Sequence, residues 1–349
     1  MADLASRHLK NPLLSPHDLE PSNENMVIEC LLNPGVFEFQ GKIGLLIRVA
    51  ERTHQKKGFI SVPFYNKLGK VEILEFKLDD PKLDTSDSRF ISYDHTDYLT
   101  TISHLRLLFS TDGVTFKEDK NYPSIFGNSP YESYGIEDCR VTQIKETYYL
   151  TYTMVSSNGV GVGLRTTKDW KNFEKTGLIF SPHNKDCAIF SEKINNNYLA
   201  LHRPSSPELG GNYIWLSQSP DSIHWGNHKC IAKTRKGKFD SKRLGAGAAP
   251  IKTKYGWLEI YHGATEDNRY CLGLLLLDLK EPSKVIARSE EPIMEPLATY
   301  EKTGFFGNVV FSNGHSVDGD TIKLYYGASD EHVCLASFSI KKLLKTLKI

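Results

Sequence analysis

The stretch YESYGIEDCRVTQIKETYYLTYT, from Tyr131 to Thr153, sets Glu137 beside Asp138, with Arg140 two residues on, where an apolar, aromatic strand begins. Carboxyls in such a place have two uses. One is general acid catalysis, in which a positioned carboxylic acid hands a proton to a leaving group. The other is an ion pair that closes the end of a strand.

Other polar residues stand at the ends of apolar runs in the same way. Arg48 ends GLLIRVA, and His104 and Arg106 lie in TISHLRLL. Lys185 and Asp186 precede CAIF, His202 and Arg203 end YLALHRP, and Arg243 precedes LGAGAAP. Tyr261 and His262 end LEIYHG, and Asp330 ends YYGASD. Singly, each is explained by a solvated or hydrogen-bonded strand end. The glycines at 245, 247 and 263 fit tight packing, and they lack the spacing of a phosphate-binding loop.

The elements that must position these residues are strands. The apolar runs are short and rich in β-branched and aromatic residues, and Gly, Asn, Asp, Ser and Lys punctuate them. This is all-β spacing. Only the end, IKKLLKTLKI, predicts a helix, over 340–349. Three segments repeat one pattern: LLFSTDGVTFKE from Leu107, LRTTKDWKNFEK from Leu164 and WLSQSPDSIHWGN from Trp215. A strand ends in Ser or Thr, a turn carries Asp, and an aromatic follows. Starts about fifty residues apart match a four-stranded propeller blade and predict five to seven blades. A ring of blades would let polar residues distant in sequence converge on one pocket. No linker divides the chain, which predicts one domain over 1–349, with 1–25 as an N-terminal extension.

Bulk properties narrow the function. The 349 residues carry a formal net charge of +1 with 24% charged side chains. That is neither a nucleic-acid footprint nor an acidic tail, so any cationic site must be assembled locally by the fold. The six cysteines form no CxxC pair, which argues against a zinc ribbon and a disulfide framework. The N-terminus lacks an apolar signal region, and no apolar run reaches membrane-spanning length. The expectation is a soluble, cytoplasmic protein.

Taken together the motifs are more specific. GIEDCRVT, HNKDCAIF, LHRP, RLGAGAAPIKTKYGWLEIYHG and LYYGASD, in this order and spacing, resemble glycoside hydrolase family 130, the mannoside phosphorylases, over roughly residues 26 to 340. YLTTISHLRLLFSTDGVTF resembles the branch acting on β-1,2-mannosides. The resemblance implies a five-bladed β-propeller with an axial pocket. It assigns Asp138 as sole proton donor. Neighbours on a strand face opposite ways, so Glu137 is expected to turn away and serve Arg140. The family usually has Pro where this chain has Cys139, a change not expected to move the carboxylate much.

The resemblance further assigns Lys185, Arg203, Arg243 and His262, with Tyr261 alongside, to a phosphate cradle. Asn33, Arg48 and Asp330 fall to the transferred sugar, and His104 and Arg106 join as substrate-binding candidates. An inverting glycosidase needs a second carboxylate to activate water. Phosphorolysis instead needs cations to hold a dianion, and the basic residues are kept here. The implied reaction is inverting phosphorolysis of β-1,2-mannobiose or oligosaccharides to α-mannose 1-phosphate and a shortened mannoside. No metal or organic cofactor is implied, and inorganic phosphate is a co-substrate. A homo-oligomer, such as a dimer, is the expected assembly. A β-1,2-mannosidase, a β-1,4-mannoside phosphorylase and a non-catalytic sugar-binding propeller are the competing readings.

Overall fold

A computed structural model describes residues 3–66, 68–87, 89–205 and 209–349. The protein is all-β, built on five larger antiparallel sheets taken in chain order, with two smaller ones (Phe59–Tyr65 with Val71–Lys77, and Leu83–Asp84, Phe90–Tyr93 and Thr96–Leu99) inserted within the first. The first comprises Met26–Phe39, Lys42–Thr53, Ile102–Ser110 and Lys117–Glu118; the second, Ile136–Ile144, Thr147–Ser156, Gly159–Thr167 and Glu174–Phe180. The third comprises Asn184–Ile189, Tyr198–Pro204, Ile214–Ser219 and Gly226–Ala232. The fourth runs through Arg243–Gly245, Gly256–Ala264, Tyr270–Leu277 and Val285–Arg288, with Ile251–Thr253 also pairing onto Gly256–Ala264. The fifth has Val310–Asp318, Thr321–Ala328 and His332–Ser339, and its outer strand comes from the other end of the chain. Ser6–Arg7 pairs with Ala336 and Ser337. Residues 3–25 are therefore partly woven into the last sheet.

The repeat marks the turn into the outer strand. Asp112 Oδ1 accepts from the N–H groups of Val114 and Thr115. Asp169 does the same for Lys171 and Asn172, and Asp221 for Ile223 and His224. Such Asx turns let a short carboxylate replace missing ladder partners. Asp278 makes a fourth, bonding Lys280 and Glu281. It follows Leu277 rather than Ser or Thr, which hid it from the pattern. The aromatics that follow are core pieces: Phe116 packs edge-on against Tyr325, and Phe173 against Trp170.

Apolar clusters lie between consecutive sheets. Phe37, Leu105, Tyr148 and Trp170 join the first and second; Val162, Leu164 and Ile189 the second and third. Leu201, Leu216, Trp257 and Leu275 join the third and fourth; Leu274, Val310 and Leu324 the fourth and fifth. Leu31, Leu45, Tyr325 and Leu335 join the fifth to the first. The helix Ile340–Thr346 covers the fourth–fifth cluster with Leu343 and Leu344. No helix among the described residues is long and apolar enough to cross a membrane.

Trp170 is fully buried and stacks on Phe37 with ring centroids 3.5 Å apart. Removing so large a core ring costs about 3–5 kcal/mol. Trp170→Ala should lower the urea midpoint of unfolding by that equivalent at unchanged slope, with Trp170→Phe much milder. Equal midpoints would show that the first and second sheets do not depend on this contact.

Candidate active site

The inner strands of four of the five sheets carry one local irregularity in common. In the second sheet Glu137 faces Thr153 and Arg140 faces Thr151, leaving one residue too many on the inner strand. The third sheet repeats this between Lys185 and Ala188, the first between Leu32 and Gly35, and the fifth between Ser312 and Gly314. These are β-bulges, which bend a strand and re-aim its side chains. Asn33, Asp138 and Asp186 sit in them at φ of +36°, +48° and +53°. Asn and Asp tolerate this left-handed region better than other side chains.

The bulge overturns the alternation expected for Glu137 and Asp138. Both acids face one cavity, and both bind one guanidinium. Arg48 Nη2 donates to Glu137 Oε1 at 2.8 Å and Nη1 to Asp138 Oδ1 at 3.2 Å. Arg48 Nε donates to Ser103 Oγ at 3.0 Å. Glu137 thus serves Arg48, not Arg140. Arg140 is buried behind the cavity wall. Its guanidinium donates to the carbonyls of Asp138, Ala246 and Gly247 and to Asp186 Oδ1 at 3.1 Å.

The cavity, of about 470 Å³, gathers Asn33, Arg48, Asp138, Lys185, Arg203 and Arg243. Glu137, Asp186 and Asp330 also line it. Lys185 and Arg203 are direct partners across adjacent strands. Arg203 Nη1 lies 3.0 Å from Asp186 Oδ2 and 3.5 Å from His262 Nε2. Gly245 makes room for this knot, since a Cβ there would come within 2.1 Å of Asp186 Oδ2. Arg243 Nη1 donates to Tyr270 OH, and Lys242 Nζ to Asn268 Oδ1. Among the described residues, Lys185, Lys242 and Arg243 have no carboxylate within ion-pair reach. Among the described residues the buried Nε groups of Arg203 and Arg243 have no hydrogen-bond acceptor. A wall of spare N–H donors and unneutralised cations suits an oxyanion.

Burial pushes the Asp138 carboxyl up, but the charges of Arg48, Arg140 and Lys185 and the hydrogen bond from Asn33 outweigh it, and the group lies below its ordinary value. Asp186 is held well below its own: burial opposes this, and Arg203, His262 and Arg140 prevail. Asp330 goes the other way. Burial, reinforced by Asp138 and Glu137 against Arg48, pushes it up to about 7. Burial pushes the His262 imidazole down to about 4 despite Asp186. His262 is fully buried outside the cavity lining and meets Asp186 and Arg203 from behind as a neutral ring, not as the cation expected at the cradle.

Three further expected site residues lie elsewhere. Tyr261 neighbours His262 on a regular strand, so it faces the opposite side. It is fully buried between the third and fourth sheets, and its hydroxyl donates to Asp240 Oδ2 at 2.7 Å. His104 and Arg106 sit on the third strand outward of the first sheet and do not line the cavity. His104 is buried with its ring stacked on Phe126, and Arg106 forks onto Glu118. Their segment touches the site through Ser103, which accepts from Arg48. Arg89, Lys242, Tyr270 and Asp186 line the cavity and Arg140 backs it, though none is among the expected site residues. Asp186 had a signal, since KDC in the third sheet repeats EDC in the second. Among the described residues no group of His, Cys, Asp or Glu is placed to hold a metal ion.

A sheet assembly whose inner strands bring one carboxylate-lined floor against a cationic wall is the arrangement of a carbohydrate-active enzyme that handles an anion. The chain belongs to glycoside hydrolase family 130: the family model described as beta-1,4-mannooligosaccharide phosphorylase matches residues 87–349. It is 43% identical over 98% of both chains to the beta-1,2-mannobiose phosphorylase of Listeria innocua. It is 41% identical to the 1,2-beta-oligomannan phosphorylase of Thermoanaerobacter sp., over 71% of this chain and 83% of that one. The solved structure of the Listeria innocua enzyme with beta-1,2-mannobiose superposes with a TM-score of 0.94 over 99% of both chains at 42% identity.

Proposed function

We propose that the protein is an inverting mannoside phosphorylase. Phosphate attacks the anomeric carbon of a non-reducing β-1,2-linked mannosyl unit, giving α-mannose 1-phosphate and a shortened mannoside. The observation that carries this reading is the joining of Asp138 to Lys185, Arg203 and Arg243 in one cavity. Asp138 supplies the proton to the departing oxygen. Lys185, Arg203 and Arg243 hold phosphate, with His262 orienting Asp186 and Arg203. Asn33, Arg48 and Asp330 hold the transferred sugar. No metal or organic cofactor takes part. The five sheets, packed in sequence with the fifth on the first, act as a five-bladed β-propeller and a single catalytic domain over 1–349, with the cavity on its axis. A cytoplasmic homo-oligomer completes the reading, consistent with six free cysteines.

The β-1,2 linkage rests on the names of the relatives matched over most of this chain. The test is incubation with β-1,2-mannobiose, with and without inorganic phosphate. Mannose 1-phosphate should form only when phosphate is present. β-1,4-Mannobiose and mannosyl-glucose should be cleaved far more slowly. Release of mannose without phosphate would replace the phosphorylase by a hydrolase, whereas a preference for the β-1,4 disaccharide would change the linkage alone.

A further inference from the structure

Phe305 is 39% exposed yet lines the same cavity as Asp138 and Lys185. Its loop is held firmly. Phe306 N–H donates to the Ser329 carbonyl at 2.9 Å, and Ser329 N–H to the Val309 carbonyl at 3.0 Å. This ties the loop to the turn that presents Asp330. A Cβ on Gly304 would lie 2.6 Å from Ser329 Cβ, and one on Gly307 2.4 Å from the Lys302 carbonyl oxygen. Both glycines flanking the Phe-Phe pair are therefore needed for the close approach. Just upstream, buried Glu301 accepts from the N–H groups of Leu297 and Ala298, from Arg7 and from Tyr326 OH.

Among the described residues no other aromatic ring stacks on Phe305. Phe311, by contrast, packs on the His262 ring with centroids 4.1 Å apart. A pyranose has hydroxyls on its edges and C–H groups on its faces, so an exposed, preorganised ring suits a sugar face. Resting on the phosphorylase reading, the geometry sorts the two sugars. The transferred mannosyl must have its anomeric carbon at the buried floor, between Asp138 and the cations. The departing sugar then runs outward to the exposed rim, where Phe305 stands.

We propose that Phe305 is the stacking platform for the acceptor sugar, the one that leaves in phosphorolysis and attacks in synthesis. The test uses the full chain in the synthetic direction, with α-mannose 1-phosphate as donor and mannose as acceptor. Phe305→Ala should raise the acceptor KM roughly tenfold, the worth of one aromatic packing contact. The KM values for α-mannose 1-phosphate and for phosphate should stay within about twofold, and Phe305→Trp should restore the acceptor KM. Phe305 is exposed, so folding should survive, and thermal unfolding checks it. An unchanged acceptor KM in Phe305→Ala, or an equal rise in the phosphate KM, overturns the platform alone. A wild-type protein that forms no mannose 1-phosphate overturns the phosphorylase reading and the platform with it.

Discussion

Asp138→Asn is expected to lower phosphorolytic turnover by on the order of 10²-fold or more, the usual contribution of a general acid, while mannobiose still binds. The exchange keeps the side chain's size and leaves an oxygen to accept from Asn33 Nδ2, now 3.1 Å from Asp138 Oδ1. What is lost is the proton. Glu137→Gln is the control, because it also removes a carboxylate from Arg48 but touches no proton transfer, and it should be milder. If Asp138→Asn keeps most of its turnover, the donor is another group. Asp330, pushed up to about 7, is then the first to examine.

The same site sets a pH signature. Arg48, Arg140 and Lys185 hold Asp138 below its ordinary value before ligands arrive. A phosphate dianion seated on Lys185 offsets that cationic field, and burial then acts with less opposition to favour the protonated acid. The basic limb of kcat, which reports the loaded enzyme, should therefore lie at higher pH than that of kcat/KM, which reports the free one.

Much of this was legible in the sequence, for identifiable reasons. Short runs such as TYYLTYT and YCLGLLLL gave the strands, and the Asp turns at 112, 169 and 221 gave their grouping into sheets, because a turn carboxylate is a local device. Asp138, Lys185, Arg203 and Arg243 stood out as polar ends of apolar strands. The error over Glu137 came from a rule that is sound for regular strands. A bulge adds one residue, and nothing local in GIEDCRVT announces it. Only the repeat of EDC and KDC in successive sheets hinted at it. Tyr261 failed for the opposite reason: its strand is regular, so it cannot share a face with His262. The neutrality of His262 is a consequence of burial, which no linear pattern displays. Phe305 was invisible because its place in the cavity depends on a loop reaching it from the far end of the chain.

Arg203→Ala should raise the KM for phosphate, or lower turnover at fixed phosphate, by about 10- to 150-fold, with mannobiose affinity nearly unchanged. A hydrogen bond to a charged group contributes roughly 1.5–3 kcal/mol, and about 1.4 kcal/mol is a factor of ten. Arg203 is suited to this because, among the described residues, its buried Nε has no acceptor, while Asp186 takes up only Nη1. Arg203→Lys keeps the charge but not the fork, so it should recover part of the loss. A competing role is structural. Arg203 holds Asp186, Asp186 holds Arg140, and Arg140 donates to the Asp138 carbonyl at 2.9 Å. If that chain is what matters, removing Arg203 should disturb the acid as much as the phosphate. Mannobiose affinity and the pH profile would then shift together with the phosphate KM. A phosphate KM that rises alone, with the pH profile unmoved, assigns Arg203 to the nucleophile.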